Sequence, residues 1–182
     1  MGADTWAMLA DERKAFVAYA ETIPPDAFDT PSPCDGWRVQ ELMAHLYAGC
    51  KSTPPKFIAS MIGSGFNVEK ALHKQMLAQV GHTPEELVAG LLAEIGTHNQ
   101  PPMTMVGEVI VHGEDVRAAL GAPTGDHPTA HLTAVADHYK KAGGPIQGKA
   151  RTAGLMLRAT DADWSAGRVR WSKARCSRSS SP

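Results

Sequence analysis

The sequence predicts a mainly α-helical protein, and three observations carry that reading. Apolar residues recur at three- and four-residue spacing through most of the chain. Proline pairs and glycines punctuate the intervals between those segments. Alternation with period two is confined to one short stretch near the C-terminal end. At 182 residues with 43% hydrophobic content, the chain has enough material for one well-filled core with a small appendage.

Each element follows from its own pattern. Thr5 to Glu21 carries Trp6, Leu9, Phe16 and Ala20 at helical spacing, and Pro24-Pro25 stops it. A Pro-, Asp- and Thr-rich loop runs to Gly36. From about Arg38 to Gly49, Val39, Leu42, Met43 and Leu46 form a second stripe, continued by Cys50. Pro54-Pro55 breaks the chain before a short apolar piece, Phe57 to Ile62, and Gly63-Ser64-Gly65 turns it. Val68 to Val80 reads as helix. Thr83-Pro84-Glu85-Glu86 is a capping box with proline at the first helical position, opening a helix to about Ile95. Pro101-Pro102 precedes a helix that ends near Leu120-Gly121, and Pro128 opens another that ends near Gly143-Gly144. Ala153 to Thr160 alternates and reads as a strand, with Asp161-Ala162-Asp163 as its turn. Arg168 to Pro182 is basic, serine-rich and without periodicity, the composition of a disordered tail.

Charge narrows the partners. Eighteen basic residues against nineteen acidic ones give no electrostatic footprint for nucleic acid or an anionic membrane. The N-terminus has no basic stretch leading into an apolar run, and no apolar run is long enough to span a bilayer. Three cysteines, Cys34, Cys50 and Cys176, lack any CxxC spacing, which suits reduced thiols in a cytoplasmic protein.

The chemistry concentrates in two segments. Glu108 and His112 are four residues apart and share one helical face a single turn apart. His45 interrupts an otherwise apolar stripe. Two imidazoles and a carboxylate on neighbouring helices make a three-ligand divalent-metal site with one position open. Bland alternatives stand beside this. His45 suits a hydrogen-bonded helix residue, and Glu108 with His112 suits a surface ion pair worth a few tenths of a kcal/mol. Full exposure conflicts with the surrounding Val106, Val109, Ile110 and Val111. Asp115 suits a fourth ligand, an acceptor for a ligating histidine, or an ordinary helix surface. His127 and His131 form a competing HxxxH, with Asp126 and Pro128 placing His127 at a helix start. His73, His82, His98 and His138 show no partner pattern. Cys34, between Pro33 and Asp35, suits a reactive thiol or a packing residue, and packing is favoured because nothing beside it in sequence lowers its pKa. Trp37 and Trp164 read as packing residues.

Thr30-Pro31-Ser32-Pro33-Cys34-Asp35-Gly36-Trp37, followed by Glu41-Leu42-Met43-Ala44-His45-Leu46, resembles the N-terminal signature of the mycothiol-dependent maleylpyruvate isomerase family, within the DinB-like superfamily. Glu108 to Gly121 resembles that family's second metal-binding helix. Gly154 to Gly167 resembles the start of the small C-terminal region in actinobacterial members. The resemblance is collinear from about Thr5 to Gly167. It implies a DinB-like four-helix bundle over 1–145, with His45, Glu108 and His112 holding a divalent metal. Residues 146–167 are then a remnant of a small α/β appendage, and 168–182 the tail. Zinc suits these ligands, and nickel or iron would also fit. Mycothiol is the implied thiol cosubstrate, and a small electrophile or unsaturated acid the implied partner. The implied activity is isomerisation or thiol S-transfer. A metal-dependent hydrolase and a non-enzymatic metal-binding or dimerisation module are the alternatives.

Two positions depart from the family pattern. Arg38 stands where a Thr or Ser cap is usual. After Gly167 the family's apolar C-terminal element is missing, and a shifted reading frame from Arg168 would account for its replacement by the polar tail.

Overall fold

Amphipathic helices pack when each has another apolar stripe to bury. The computed structural model describes residues 2–144 and 146–167. They form two units that divide between His138 and Tyr139. The first contains α1 (Gly2–Ala20), a 3-10 turn (Pro25–Asp29), α2 (Val39–Lys51), α3 (Pro54–Gly63), α4 (Val68–Leu77), α5 (Pro84–Ala93), α6 (Pro102–Ala119) and most of α7 (Thr129–Tyr139). The fold is mainly helical, as a DinB-like bundle requires.

Helix α1 packs on α6 and α5, while α2 packs on α6, α5 and α4, and α3 lies on α4. Leu9 and Val17 of α1, Leu42 and Met43 of α2, Leu87 of α5 and Val106 and Val116 of α6 form the buried centre. Gly113 lets α1 and α6 approach closely: a Cβ there would lie 3.1 Å from the Phe16 ring. Each large core side chain contributes about 1.5–3 kcal/mol on burial.

The helix starts follow their chemistry. Thr83 accepts from the Glu86 N–H, and Glu86 accepts from the Thr83 N–H at 2.9 Å, so the expected capping box is formed. Pro54 and Pro55 open α3 instead of only ending what precedes it, because the first helical positions need no N–H. The loop after α1 also contains order that its composition hid: Pro25–Asp29 makes a 3-10 turn and buries Phe28.

The second unit contains α8 (Gly148–Arg151), β1 (Leu157–Arg158) and β2 (Ser165–Ala166). The strand expected over Ala153–Thr160 is shorter than its alternation suggests. Only Leu157 and Arg158 pair, antiparallel to Ala166 and Ser165, around the expected turn. Gly154 in the left-handed region bends the chain upstream, and Leu155 and Met156 stay about half exposed. An alternating face without an apolar surface to cover it does not extend the ladder. The tail reading falls on residues 168–182, outside the described residues. Among the described residues, no helix is long and apolar enough to cross a membrane.

One buried cation ties α1 to the end of α5. Arg13 is 5% exposed, and its Nη1 donates to the carbonyl oxygens of Glu94 (3.0 Å), Ile95 (3.3 Å) and Thr97 (2.8 Å). These are the acceptors that a helix C-terminus leaves unmatched. Arg13→Met should cost about 2–3 kcal/mol, since it strands several part-buried carbonyls. Urea denaturation checks this; Arg13→Lys should restore only part, because the lysine side chain is one atom shorter and its ammonium falls short of the carbonyls that Nη1 reaches.

Candidate metal centre

His45 projects from α2 because its neighbours on the helix, Leu42, Met43, Ala44 and Leu46, fill the core and fix the rotation of the helix. Glu108 and His112 project from α6 by the same logic, set between the buried Val106, Val109, Ile110 and Gly113. The two helices bring the three side chains together. His45 Nε2 lies 3.0 Å from Glu108 Oε2, and His112 Nε2 lies 3.5 Å from the same oxygen. One donor atom from each lies within 4.8 Å of the other two. Tetrahedral donors about 2.1 Å from a cation are about 3.4 Å apart. The spacing and donor chemistry therefore fit a small divalent ion.

The electrostatics suit a cation as well. Burial pushes the Glu108 carboxyl up, but hydrogen bonds and charge from His112 and His45 outweigh it and bring the pKa to about 2. Burial pushes His112 down, and the Glu108 and Asp115 carboxylates outweigh it, so its pKa is raised. Asp115, one turn on, accepts from His112 Nδ1 at 3.0 Å. That contact leaves Nε2 as the nitrogen facing Glu108 and holds the ring plane.

The loop before α2 furnishes one wall. Gly36 takes a left-handed backbone (φ 76°). The Trp37 N–H then donates to the Cys34 carbonyl at 3.0 Å, and the Ser32 N–H to the Trp37 carbonyl at 2.9 Å. This tight return carries Trp37 over the cluster, with ring centroids 5.3 Å from His45 and 6.5 Å from His112. It also carries Cys34 to Asp115, where Sγ lies 3.4 Å from Oδ2. Sequence patterning assigned both residues to packing. The signal for a site role was their place in the Cys-Asp-Gly-Trp turn immediately before the His45 helix.

Cys34, His112 and Asp115 form a second compact donor group. Burial and then the Asp115 charge push the Cys34 thiol up to about 11. A protonated thiol donating to a carboxylate that also holds His112 is a hydrogen-bond chain, and a poor ligand set.

Arg38 has no side-chain acceptor to cap α2, as its residue type dictates. The function is supplied otherwise. Glu41 accepts from the Arg38 N–H at 2.8 Å, and the guanidinium binds Glu41 (2.8 Å) and Asp29 (2.7 Å). The α2 start is held from outside, and the departure from Thr or Ser leaves His45 in place.

The competing HxxxH has another task. His127 Nδ1 lies 2.7 Å from Glu12 Oε2, His131 Nδ1 2.6 Å from Glu12 Oε1, and His127 Nε2 3.1 Å from Glu114 Oε1. Both nitrogens of His127 face different carboxylates, so they donate outward and do not converge on one point. Glu12 is 3% exposed, and this arrangement pins the segment before α7 to α1 and α6. Other histidines with no sequence partner also have contacts: His98 stacks on Trp6 at 4.1 Å, His82 meets Glu86 at 3.2 Å, and His138 meets Thr104 at 3.4 Å. Contacts to Trp6 and Thr104 join distant parts of the chain, which spacing cannot show.

The Glu12 latch gives a pH signature. Burial lowers His127, while Glu114 and Glu12 outweigh it, so its folded pKa is raised. A raised pKa gives stability that is complete below the unfolded value of about 6.5 and lost as pH rises through the folded value. Glu12→Gln should therefore cost about 2–3 kcal/mol at pH 6 and clearly less at pH 9, read from urea midpoints at both pH values.

No curated relative and no solved structure matches the chain. One family model does match, over residues 9–95: the mycothiol maleylpyruvate isomerase N-terminal domain. The matched stretch includes His45, Cys34 and Trp37 and ends before Glu108 and His112. Over residues 9–95, which run from α1 through α5, the chain is thus similar to the mycothiol maleylpyruvate isomerase N-terminal domain family.

Proposed function

We propose that this chain is a divalent-metal protein of the mycothiol-dependent maleylpyruvate isomerase type, in which His45, Glu108 and His112 hold the ion. The observation that carries the reading is the meeting of those three donors between α2 and α6, in a chain whose residues 9–95 match that family's N-terminal domain. Zinc suits two imidazoles and a carboxylate best, with nickel and iron as further occupants. When bound, the cation supplies a Lewis acid that lowers the pKa of a thiol or water at its free position.

The residues divide the remaining work. Glu108 carries the negative charge that offsets the ion, and its low pKa keeps it ionised throughout the physiological range. Asp115 orients His112 through Nδ1. Trp37 gives the cluster an aromatic wall. The cosubstrate in this reading is mycothiol, and its acceptor is a small electrophile or unsaturated acid, undergoing isomerisation or S-transfer. The setting is the cytoplasm, in keeping with the free thiols of Cys34 and Cys50.

Metal content of purified protein tests the reading first. His45→Ala and His112→Ala should each lose most of the bound ion, whereas His131→Ala should keep it. Retention in both of the first two variants overturns the site. Asp115→Asn should weaken the metal about 10- to 100-fold while leaving the ligands intact. Loading should release a proton from His112, whose pKa is raised and whose Nδ1 and Nε2 both face carboxylates, so affinity should rise from pH 6 to pH 8. Turnover that requires a thiol supports the isomerase or transferase. Turnover without one indicates a hydrolase, and bound metal without turnover indicates a binding module.

A further inference from the structure

A groove of about 160 Å³ lies where the end of α2, the start of α3 and the end of α4 meet. Its walls include Ala48, Lys51, Ser52, Lys56, Gln75 and Ala78, and no carboxylate lines it. It shares no residue with the His45 cluster. Ser52 is seven residues beyond His45, about 10 Å along α2.

Two features of the groove need explanation. Ser52 is 5% exposed, and its Oγ is buried without a hydrogen-bond partner. The Gln75 side-chain nitrogen is likewise buried without one. Each such group costs about 1–3 kcal/mol if it stays unmatched. Both belong to side chains that present donors, a hydroxyl and an amide. The two charged residues on the groove are both cations. Lys51 is exposed and rests on the Tyr47 hydroxyl at 3.2 Å, a neutral contact that an anion would outcompete. Lys56 stands in the first turn of α3, where the helix dipole adds positive potential. The accessible walls are otherwise mostly apolar, through Ala48 and Ala78.

We propose that this groove binds a small organic carboxylate. The acid group meets Lys51 and Lys56 at the mouth, and the buried Ser52 hydroxyl and Gln75 amide turn to it by a change of rotamer. A short apolar body lies against Ala48 and Ala78. Donors without any acceptor carboxylate select against cations, and the alanine walls favour an organic acid over a bare inorganic anion.

The test is a ¹H–¹⁵N titration of the full chain with butyrate, at fixed ionic strength and pH 7.5, with butyramide as the neutral isostere. Butyrate should give saturable shifts centred on Ser52 and the Gln75 side-chain amide, and butyramide should bind at least about tenfold more weakly. Lys51→Glu with Lys56→Glu should weaken butyrate about tenfold or more; both side chains are exposed, so the fold is retained. Ser52→Ala, or Gln75→Met where packing is sensitive, should weaken it several-fold. Glu108→Gln should leave this binding unchanged, which separates it from any carboxylate held at the metal centre. Equal binding of butyrate and butyramide overturns the proposal. So do non-saturating shifts that persist in the double glutamate variant, or loss of binding in Glu108→Gln.

Discussion

A carboxylate set among valines has to be compensated, and Glu108 is the point on which this molecule turns. It sits on α6 between residues that fill the core, so the helix cannot rotate it into water without exposing Val106 and Ile110. Its partners come from two directions: His112 one turn along the same helix, and His45 across the interface on α2. The contact that satisfies the charge is also the contact that aligns α2 with α6. Packing and site geometry are consequently one constraint, and a shift of either helix that spoils the donor spacing also spoils the core.

The rest of the site is held from the surrounding loops and helix ends. The turn closed by Gly36 delivers Trp37 and Cys34 to the cluster, and Arg38, unable to cap α2 itself, binds Glu41 and Asp29 at its start. On the other side of α6, Glu12 joins His127 and His131 and fixes the approach to α7. Arg13, one residue on, closes the end of α5. Adjacent charged residues on α1 therefore organise two distant segments, and both are buried because the helix face that carries them is turned inward by Leu9, Phe16 and Val17. Buried charges of this kind fix relative positions more than they add net stability.

The histidines show how far spacing alone carries. Two pairs at four-residue spacing compete in this chain, counting Glu108–His112 and His127–His131. Both have buried partners, and the chemistry differs because of what stands opposite. Across from Glu108 and His112 is a third side chain aimed at the same point. Across from His127 and His131 is a single carboxylate that takes one contact from each, while the second nitrogen of His127 turns to Glu114. Convergence makes a ligand set, and divergence makes a latch.

The helical class, the order of the elements, the Thr83 capping box and the pairing of Glu108 with His112 on one face were all determined by sequence, because each depends on periodicity or on residues within one turn. The likeness of the Thr30–Leu46 segment to a known family was legible for the same local reason. Tertiary structure alone decided that His45 meets Glu108, sixty-three residues away, and that Cys34 reaches Asp115, eighty-one residues away. It also decided that the Ala153–Thr160 alternation yields only a two-residue ladder, since a strand needs a covered face that its own sequence does not provide. Contacts between distant helices depend on how whole stripes of side chains interlock, and no local pattern encodes which face of a stripe will carry a neighbour's charge.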